Sequence, residues 1–251
     1  MPELSARSLV ASLLLGSEPP ELPVRLLVRT AELFGIAEGA TRVAISRMVA
    51  AGELEAAGEG RYRLSGPLAH RQARQAQGRR PAPAAWDGTW VVAVVPGGAR
   101  GASDRAALRS AALDRRLAEV RDGVWTRPDN LGPASPGADP VITEQCELLT
   151  GARHPYPAGF AASLWDLSGW AAQAERLLGA MDGRAEVLAR RDASGLPGSF
   201  QVAAATVRHL ASDPLLPEEL LPAAWPGARL RAAYDRFEAD FQATLGEWYR
   251  S

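Results

Sequence analysis

The chain has 251 residues, 47% of them apolar and 23% charged, an ordinary globular composition with enough apolar mass for two or three small domains. A single cysteine, Cys146, excludes an intrachain disulfide and a thiolate-rich zinc cluster, and the three histidines (His70, His154, His209) lack ligand spacing. The net charge of −1 argues at first against a nucleic-acid partner, yet it hides an asymmetry.

Residues 1–80 carry eleven arginines against eight acidic residues, and 40–80 alone carry eight against three, whereas 81–251 carry seventeen against twenty-one. Lysine is absent, so every basic contact is a planar donor fork. The N-terminus lacks the apolar run of a signal peptide and no segment approaches a membrane span, so a cytoplasmic protein is expected.

The first predicted helix spans 5–15, with Leu9, Val10, Leu13 and Leu14 on one stripe, and Gly16-Ser-Glu-Pro-Pro20 stops it. A second helix over 24–34 offers Leu26, Leu27, Leu33 and Phe34 for burial. Phe34-Gly-Ile-Ala-Glu-Gly39 then forms a turn, with Ile36 plugging the core. The next helix, 40–51, places Ala44, Ile45, Met48 and Val49 inward and Arg42, Val43, Ser46 and Arg47 outward. A hairpin follows, its tip at Ala57-Gly-Glu-Gly60, and Arg61 and Arg63 share one strand face while Tyr62 and Leu64 take the other. Two helices, a turn and a basic hairpin make a winged helix-turn-helix, which presents one helix to the DNA major groove and a wing to the backbone beside it.

Residues 70–80 are polar and arginine-rich and read as a helix or a linker; Pro81-Ala-Pro-Ala-Ala85 marks a domain boundary. A strand over 90–95 follows, then the loop Pro96-Gly-Gly-Ala-Arg-Gly101. A helix to Glu119 turns Leu108, Leu113, Leu117 and Val120 inward, and strands follow at 123–126 and, across a Gly/Pro-rich loop, 141–149. Cys146 falls in that last strand, as a buried thiol. From Pro155 on the pattern is helical: 167–181, 186–191, 200–211 and 228–247, the last with Leu230, Tyr234, Phe237, Phe241 and Leu245 on one stripe. The expected class is therefore α+β multidomain. Its parts are a winged-helix domain (1–68), a basic helix or linker (69–85), a central α+β domain (86–155) and a helical domain (156–251).

Three separated stretches resemble the PaaX-type bacterial transcriptional regulators, named for the repressor of phenylacetic acid degradation. They are Phe34-Gly-Ile with Ala40-Thr-Arg-Val-Ala-Ile-Ser-Arg-Met48; Trp86-Asp-Gly-Thr-Trp90 with Gly123-Val-Trp125 and Pro128; and Asp213-Pro-Leu-Leu-Pro217 with Leu220-Leu-Pro-Ala-Ala-Trp-Pro-Gly227. The third is the most specific, since periodicity alone does not generate it. The resemblance implies a ferredoxin-like central domain similar to small CRISPR-associated nucleases, and a homodimer released from operator DNA by an aromatic acyl-CoA. The chain departs from the family at Pro96-Gly-Gly-Ala-Arg100 and at Leu117-Ala-Glu-Val-Arg-Asp-Gly123. At Asn130-Leu-Gly-Pro-Ala-Ser-Pro-Gly137 a family helix has no room.

The candidate DNA-binding residues are Thr41, Arg42, Val43, Ser46 and Arg47 of the recognition helix and Arg61 and Arg63 of the wing. Arginine suits guanine edges and phosphates, serine suits phosphate, and a valine methyl suits thymine. Arg42 and Arg47 could instead be ion-paired to Glu38 or Glu53 on a solvated helix. An acyl-CoA effector needs cations for phosphates and an apolar or aromatic slot, for which Arg127, Arg153, His154, Trp165 and Arg208 are candidates. No cofactor is expected. A metal-dependent nuclease would want a carboxylate after the first central strand, where Pro96-Gly-Gly stands, so an enzyme is not expected. The remaining alternative is a winged helix that binds protein rather than DNA.

Overall fold

The computed structural model describes residues 5–98 and 100–250; Ala99, within the expected 96–101 loop, lies outside them. The chain divides into two compact units, one of 1–79, 174–211 and 228–251 and the other of 80–173 and 212–227. The first break falls at the Pro-rich segment. The others fall within the helical region, whose segments 174–211 and 228–251 group with the N-terminal elements.

In the first unit, α1 (Ala6–Leu15) is capped by Ser5, whose hydroxyl accepts from the Ser8 amide at 3.2 Å. β1 (Glu21–Pro23), α2 (Val24–Leu33), α3 (Glu38–Ala50), β2 (Leu54–Ala56) and β3 (Arg61–Leu64) follow. The strands form an antiparallel sheet in the order β1-β3-β2, with Glu21 opposite Arg63 and Glu55 opposite the same Arg63 from the other side. Leu9, Leu14, Leu27, Ala31, Ile45, Met48 and Leu54 are almost wholly buried in these elements. Of residues 70–80, open between helix and linker, all but Arg80 belong to α4 (Gly66–Arg79). α4 packs on α9 (Leu196–Ala211), with α10 (Gly227–Arg250) beside them.

The second unit contains β4 (Trp90–Val94), α5 (Ala102–Asp114), β5 (Ala118–Arg121), β6 (Val124–Pro128), α6 (Pro140–Gln145) and β7 (Glu147–Ala152). The antiparallel sheet order β5-β6-β4-β7 with two crossover helices is the ferredoxin-like topology. Two short 3₁₀ turns (Gly132–Ala134 and Pro136–Ala138) occupy the breaker-rich loop, leaving α6 only six residues. One core joins Ala93, Leu108, Leu117, Trp125 and Ile142. A second joins Trp90 and Leu167 to Leu216 and Leu220 of the Pro-rich connector, beneath α7 (Pro157–Leu164). α8 (Leu167–Ala189) runs unbroken through both segments expected at 167–191.

Two expectations fail in this unit. The helix expected to reach Glu119 stops at Asp114, and Arg116 at φ 58° turns the chain into β5, leaving Leu113 and Val120 exposed rather than inward. Residues 141–145, expected as strand, are helical, because Asp139 caps the Val141 amide at 3.1 Å and Pro140 starts the turn. Cys146 is buried at the end of that helix, immediately before β7.

Candidate nucleic-acid interface

Helix α3 follows the turn after α2 and is held from beneath by Thr41, Ile45 and Met48. Arg42, Val43, Ser46 and Arg47 project from the opposite side and are exposed. At 100° per residue these four fall within one outward stripe, about two turns long. Val49, expected inward, is 39% exposed at the edge of that stripe.

Thr41 does not belong to it. Its side chain is wholly buried and its hydroxyl donates to the Ala37 carbonyl at 3.3 Å, so it supports the helix from within and cannot reach a ligand.

The two arginines differ in what holds them. Arg42 bonds Glu38 at 2.7 Å, one turn earlier, in a pair more than half exposed at both ends. Such pairs are worth about 0.3–0.5 kcal/mol, too little to keep the guanidinium from a phosphate. Arg47 has no ion-pair partner among the described residues. Its neighbour in sequence, Glu53, is instead taken by Arg7 of α1.

The hairpin is less available than its arginines suggest. Arg61 donates to the Glu21 carboxylate at 2.5 Å and to the Glu21 carbonyl at 3.2 Å, and Arg63 donates to Glu55 at 2.5 Å across the β2–β3 pair. Glu59 at the tip takes φ 48° between Gly58 and Gly60. Two paired cations beside a tip carboxylate leave the wing close to neutral.

Of the effector candidates in the second unit, His154 and Trp165 flank one aromatic cluster through Phe160 and Trp90, whereas Arg127 is held elsewhere. Arg127 is wholly buried and spends its donors on the carbonyls of Pro128, Arg115, Arg116 and Leu215 and on Asn130 Oδ1. Burial, with help from the Arg116 charge, pulls its pKa down to about 9, so it remains charged at neutral pH. It is a structural clamp, with no donor left over for a phosphate. Arg153 donates to the Asp87 carbonyl at 3.0 Å, His154 stacks on Phe160 with ring centres 4.3 Å apart, and Trp165 lies 6.4 Å from Trp90. Arg208 belongs to the other unit.

Asp87, the carboxylate nearest β4 that a nuclease reading would use, accepts from the Thr89 amide and hydroxyl. Those bonds hold its carboxyl below the usual range. Among the described residues no helix is long and apolar enough to cross a membrane.

The sequence hides one grouping. Arg71 and Gln75 of α4, Arg208 of α9 and Tyr234 and Glu238 of α10 line a cavity of about 120 Å³ with the end of α1 and Leu22 of β1. Arg71 and Gln75 sit one helical turn apart, a spacing that signals a shared face but not what the face meets.

The PaaX-like protein model matches residues 5–68, and the PaaX-like C-terminal domain model matches residues 165–249. An uncharacterized protein from Mycobacterium tuberculosis, Rv0674, is similar over nearly its whole length. The two are 44% identical over 97% of this chain and 98% of that one, with a TM-score of 0.72. No curated protein matches the chain. The chain belongs to the PaaX-like family, and its two family domains support a transcriptional regulator of the PaaX type.

Proposed function

We propose that the protein is a cytoplasmic, homodimeric repressor that binds double-stranded operator DNA through a winged helix-turn-helix and leaves it when a small ligand binds. In this reading α2 and α3 form the helix-turn-helix, α3 enters the major groove, and the β2–β3 hairpin is the wing. Arg47 and Arg42 supply phosphate or guanine contacts, Ser46 a phosphate contact and Val43 an apolar contact to a thymine methyl. Arg61 and Arg63 serve as secondary phosphate contacts once Glu21 and Glu55 release them. A two-fold dimer sets two α3 helices about one DNA turn apart, on a palindromic site. The effector is phenylacetyl-CoA, another acyl-CoA or an aromatic acid.

The observation that carries this reading is the exposed stripe of α3, with Arg47 lacking an ion pair among the described residues, on a helix otherwise anchored by a wholly buried face. The test is titration of the purified protein onto the region upstream of its own gene, with and without phenylacetyl-CoA. Specific binding by the wild type, lost in Arg47→Ala, is the expected result. Failure to bind either that region or random genomic fragments at low salt overturns the reading.

A further inference from the structure

The cavity lined by α1, β1, α4, α9 and α10 has the features of a built ligand site. Its walls are apolar: Leu13, Phe200, Val207, Phe241 and Leu245 contribute, with the Phe200 and Phe241 rings 6.3 Å apart. At about 120 Å³ it is slightly smaller than the roughly 150 Å³ cavity that accepts a benzene molecule, so a single ring fills it and a coenzyme A moiety does not.

Its polar equipment is unspent. Gln75 is 5% exposed, yet its Oε1 has no hydrogen-bond partner among the described residues. A buried amide is costly to leave unmade, and a carboxamide offers a donor or an acceptor on rotation. Arg71 and Arg208 are exposed and have no ion pair among the described residues. Burial of part of the Arg71 side chain, then the charges of Arg208 and Arg7, pull its pKa down, which reports cations crowded without a counter-ion. The acidic residue of the lining, Glu238, is ion-paired with Arg79 at 3.2 Å, without a hydrogen bond to its Oε2 among the described residues.

We propose that this cavity binds a small apolar monocarboxylate of about one ring, its apolar end among the phenylalanines and its carboxylate met by Arg71, Arg208 and the Gln75 amide. The proposal rests on the ligand-released repressor reading and deepens it. The ligand would touch Ser12 and Leu13 of α1, which packs on α3, and Tyr249, whose hydroxyl bonds Thr30 of α2 at 2.5 Å. Both helices of the helix-turn-helix thus have a neighbour at the cavity wall. A ligand that moves either neighbour changes how α3 is presented.

The experiment is calorimetric titration of the full chain, without DNA, with phenylacetate, benzoate, neutral 2-phenylethanol and phenylacetyl-CoA. A parallel gel-shift assay reads DNA binding separately. One of the two acids is expected to bind at least tenfold more tightly than the alcohol. The Arg71→Gln/Arg208→Gln double variant should lose that advantage, and Ala204→Phe, which fills the cavity without touching its charge, should lose binding altogether. Both variants should unfold at close to the wild-type temperature and still shift DNA. No binding of either acid, binding unchanged in both variants, or binding of phenylacetyl-CoA alone overturns the proposal. Intact DNA binding in those cases leaves the repressor reading standing, whereas acid binding without any DNA binding does the reverse.

Discussion

Arg127 of β6 donates to the carbonyl oxygen of Leu215 at 3.3 Å, and Asn130 donates to that same oxygen at 3.0 Å. Leu215 lies in the Asp213-Pro-Leu-Leu-Pro217 stretch and takes φ 51°, a conformation most side chains avoid. Asp213 holds it there by accepting from the Leu215 amide at 2.9 Å, while Arg116 donates to the Asp213 carbonyl. The most specific stretch of the sequence is therefore a clamp that fastens the Pro-rich connector to the ferredoxin-like sheet. Its irregular pattern follows from geometry: buried carbonyls turned toward two arginines cannot belong to a regular helix or strand.

Replacing Arg127 tests that clamp. Arg127→Met strands several buried carbonyls at once, each worth about 1–3 kcal/mol when left unpaired. The expected loss of stability is at least about 3 kcal/mol, visible as a lower denaturant midpoint. Arg127→Lys should recover little, because one ammonium cannot span acceptors that a planar fork reaches together. A variant as stable as wild type would show that the hydrogen bonds are dispensable.

Gly78 of α4 makes a second prediction. A Cβ built there would lie 2.4 Å from the Leu210 carbonyl oxygen and 2.9 Å from the Ala211 Cα, both backbone atoms that cannot rotate away. The Gly78 carbonyl also accepts from Arg231 of α10 at 2.8 Å, so three helices converge at this residue. Gly78→Ala should destabilise by about 1–3 kcal/mol, as overpacking does. Gly39, in α3 with nothing within 4 Å of its Cβ position, is the matched control. Gly39→Ala should stabilise by roughly 0.5–1 kcal/mol through helix propensity. Thermal unfolding of the pair reads both signs.

For DNA affinity, the ion pairs rank the arginines. Arg47→Ala should cost about 1–3 kcal/mol of binding if it reads a base. If it meets a phosphate, the salt slope should fall by about one. Arg42→Ala should cost nearly as much, since its pair with Glu38 is exposed and weak. Arg63→Ala should cost least, because Glu55 already occupies the guanidinium. Glu55→Gln should tighten binding at low salt by freeing that cation. Gel shifts at two salt concentrations separate these outcomes, and an Arg63 effect larger than that of Arg47 would make the wing the principal contact.

The α3 stripe was legible because an amphipathic period of 3.6 writes itself into sequence, and its outward residues lie where the period puts them. Thr41 was misplaced because threonine at a helix edge is as easily a buried hydroxyl bonded to the carbonyl four residues back as a polar surface group. The end of α5 was hidden because Arg116, not glycine, takes the left-handed conformation, so no stop signal interrupts the apolar spacing from Leu108 to Leu117. At 141–145 Asp139-Pro140 supplies a cap and a first helical residue, while the β-branched Val141 and Ile142 carry the opposing strand preference. The cavity was illegible in principle. Arg71 and Arg208 come from distant helices, and only tertiary packing places them at one rim.

The far end of α10 offers the last prediction. Arg29 of α2 donates to the carbonyls of Tyr249 at 2.7 Å and Trp248 at 3.1 Å, and its guanidinium lies 4.7 Å from the centre of the Trp248 ring. The final carbonyls of a helix have no partners within it and carry the negative end of its dipole, so a cation there is favoured twice. Thr30 bonds the Tyr249 hydroxyl, whose pKa burial pushes up, so the phenol stays neutral across the physiological range. Arg29→Gln removes the charge and the ring contact together and should lower stability by about 1–2 kcal/mol. Tyr249→Phe removes one hydrogen bond and should cost about 1 kcal/mol. If the last turn of α10 also sets the position of α2, both variants should weaken DNA binding beyond what their fraction unfolded explains. Affinity measured well below the unfolding transition, corrected for active protein, distinguishes that effect from simple destabilisation. Unchanged affinity in both would confine this contact to holding the fold.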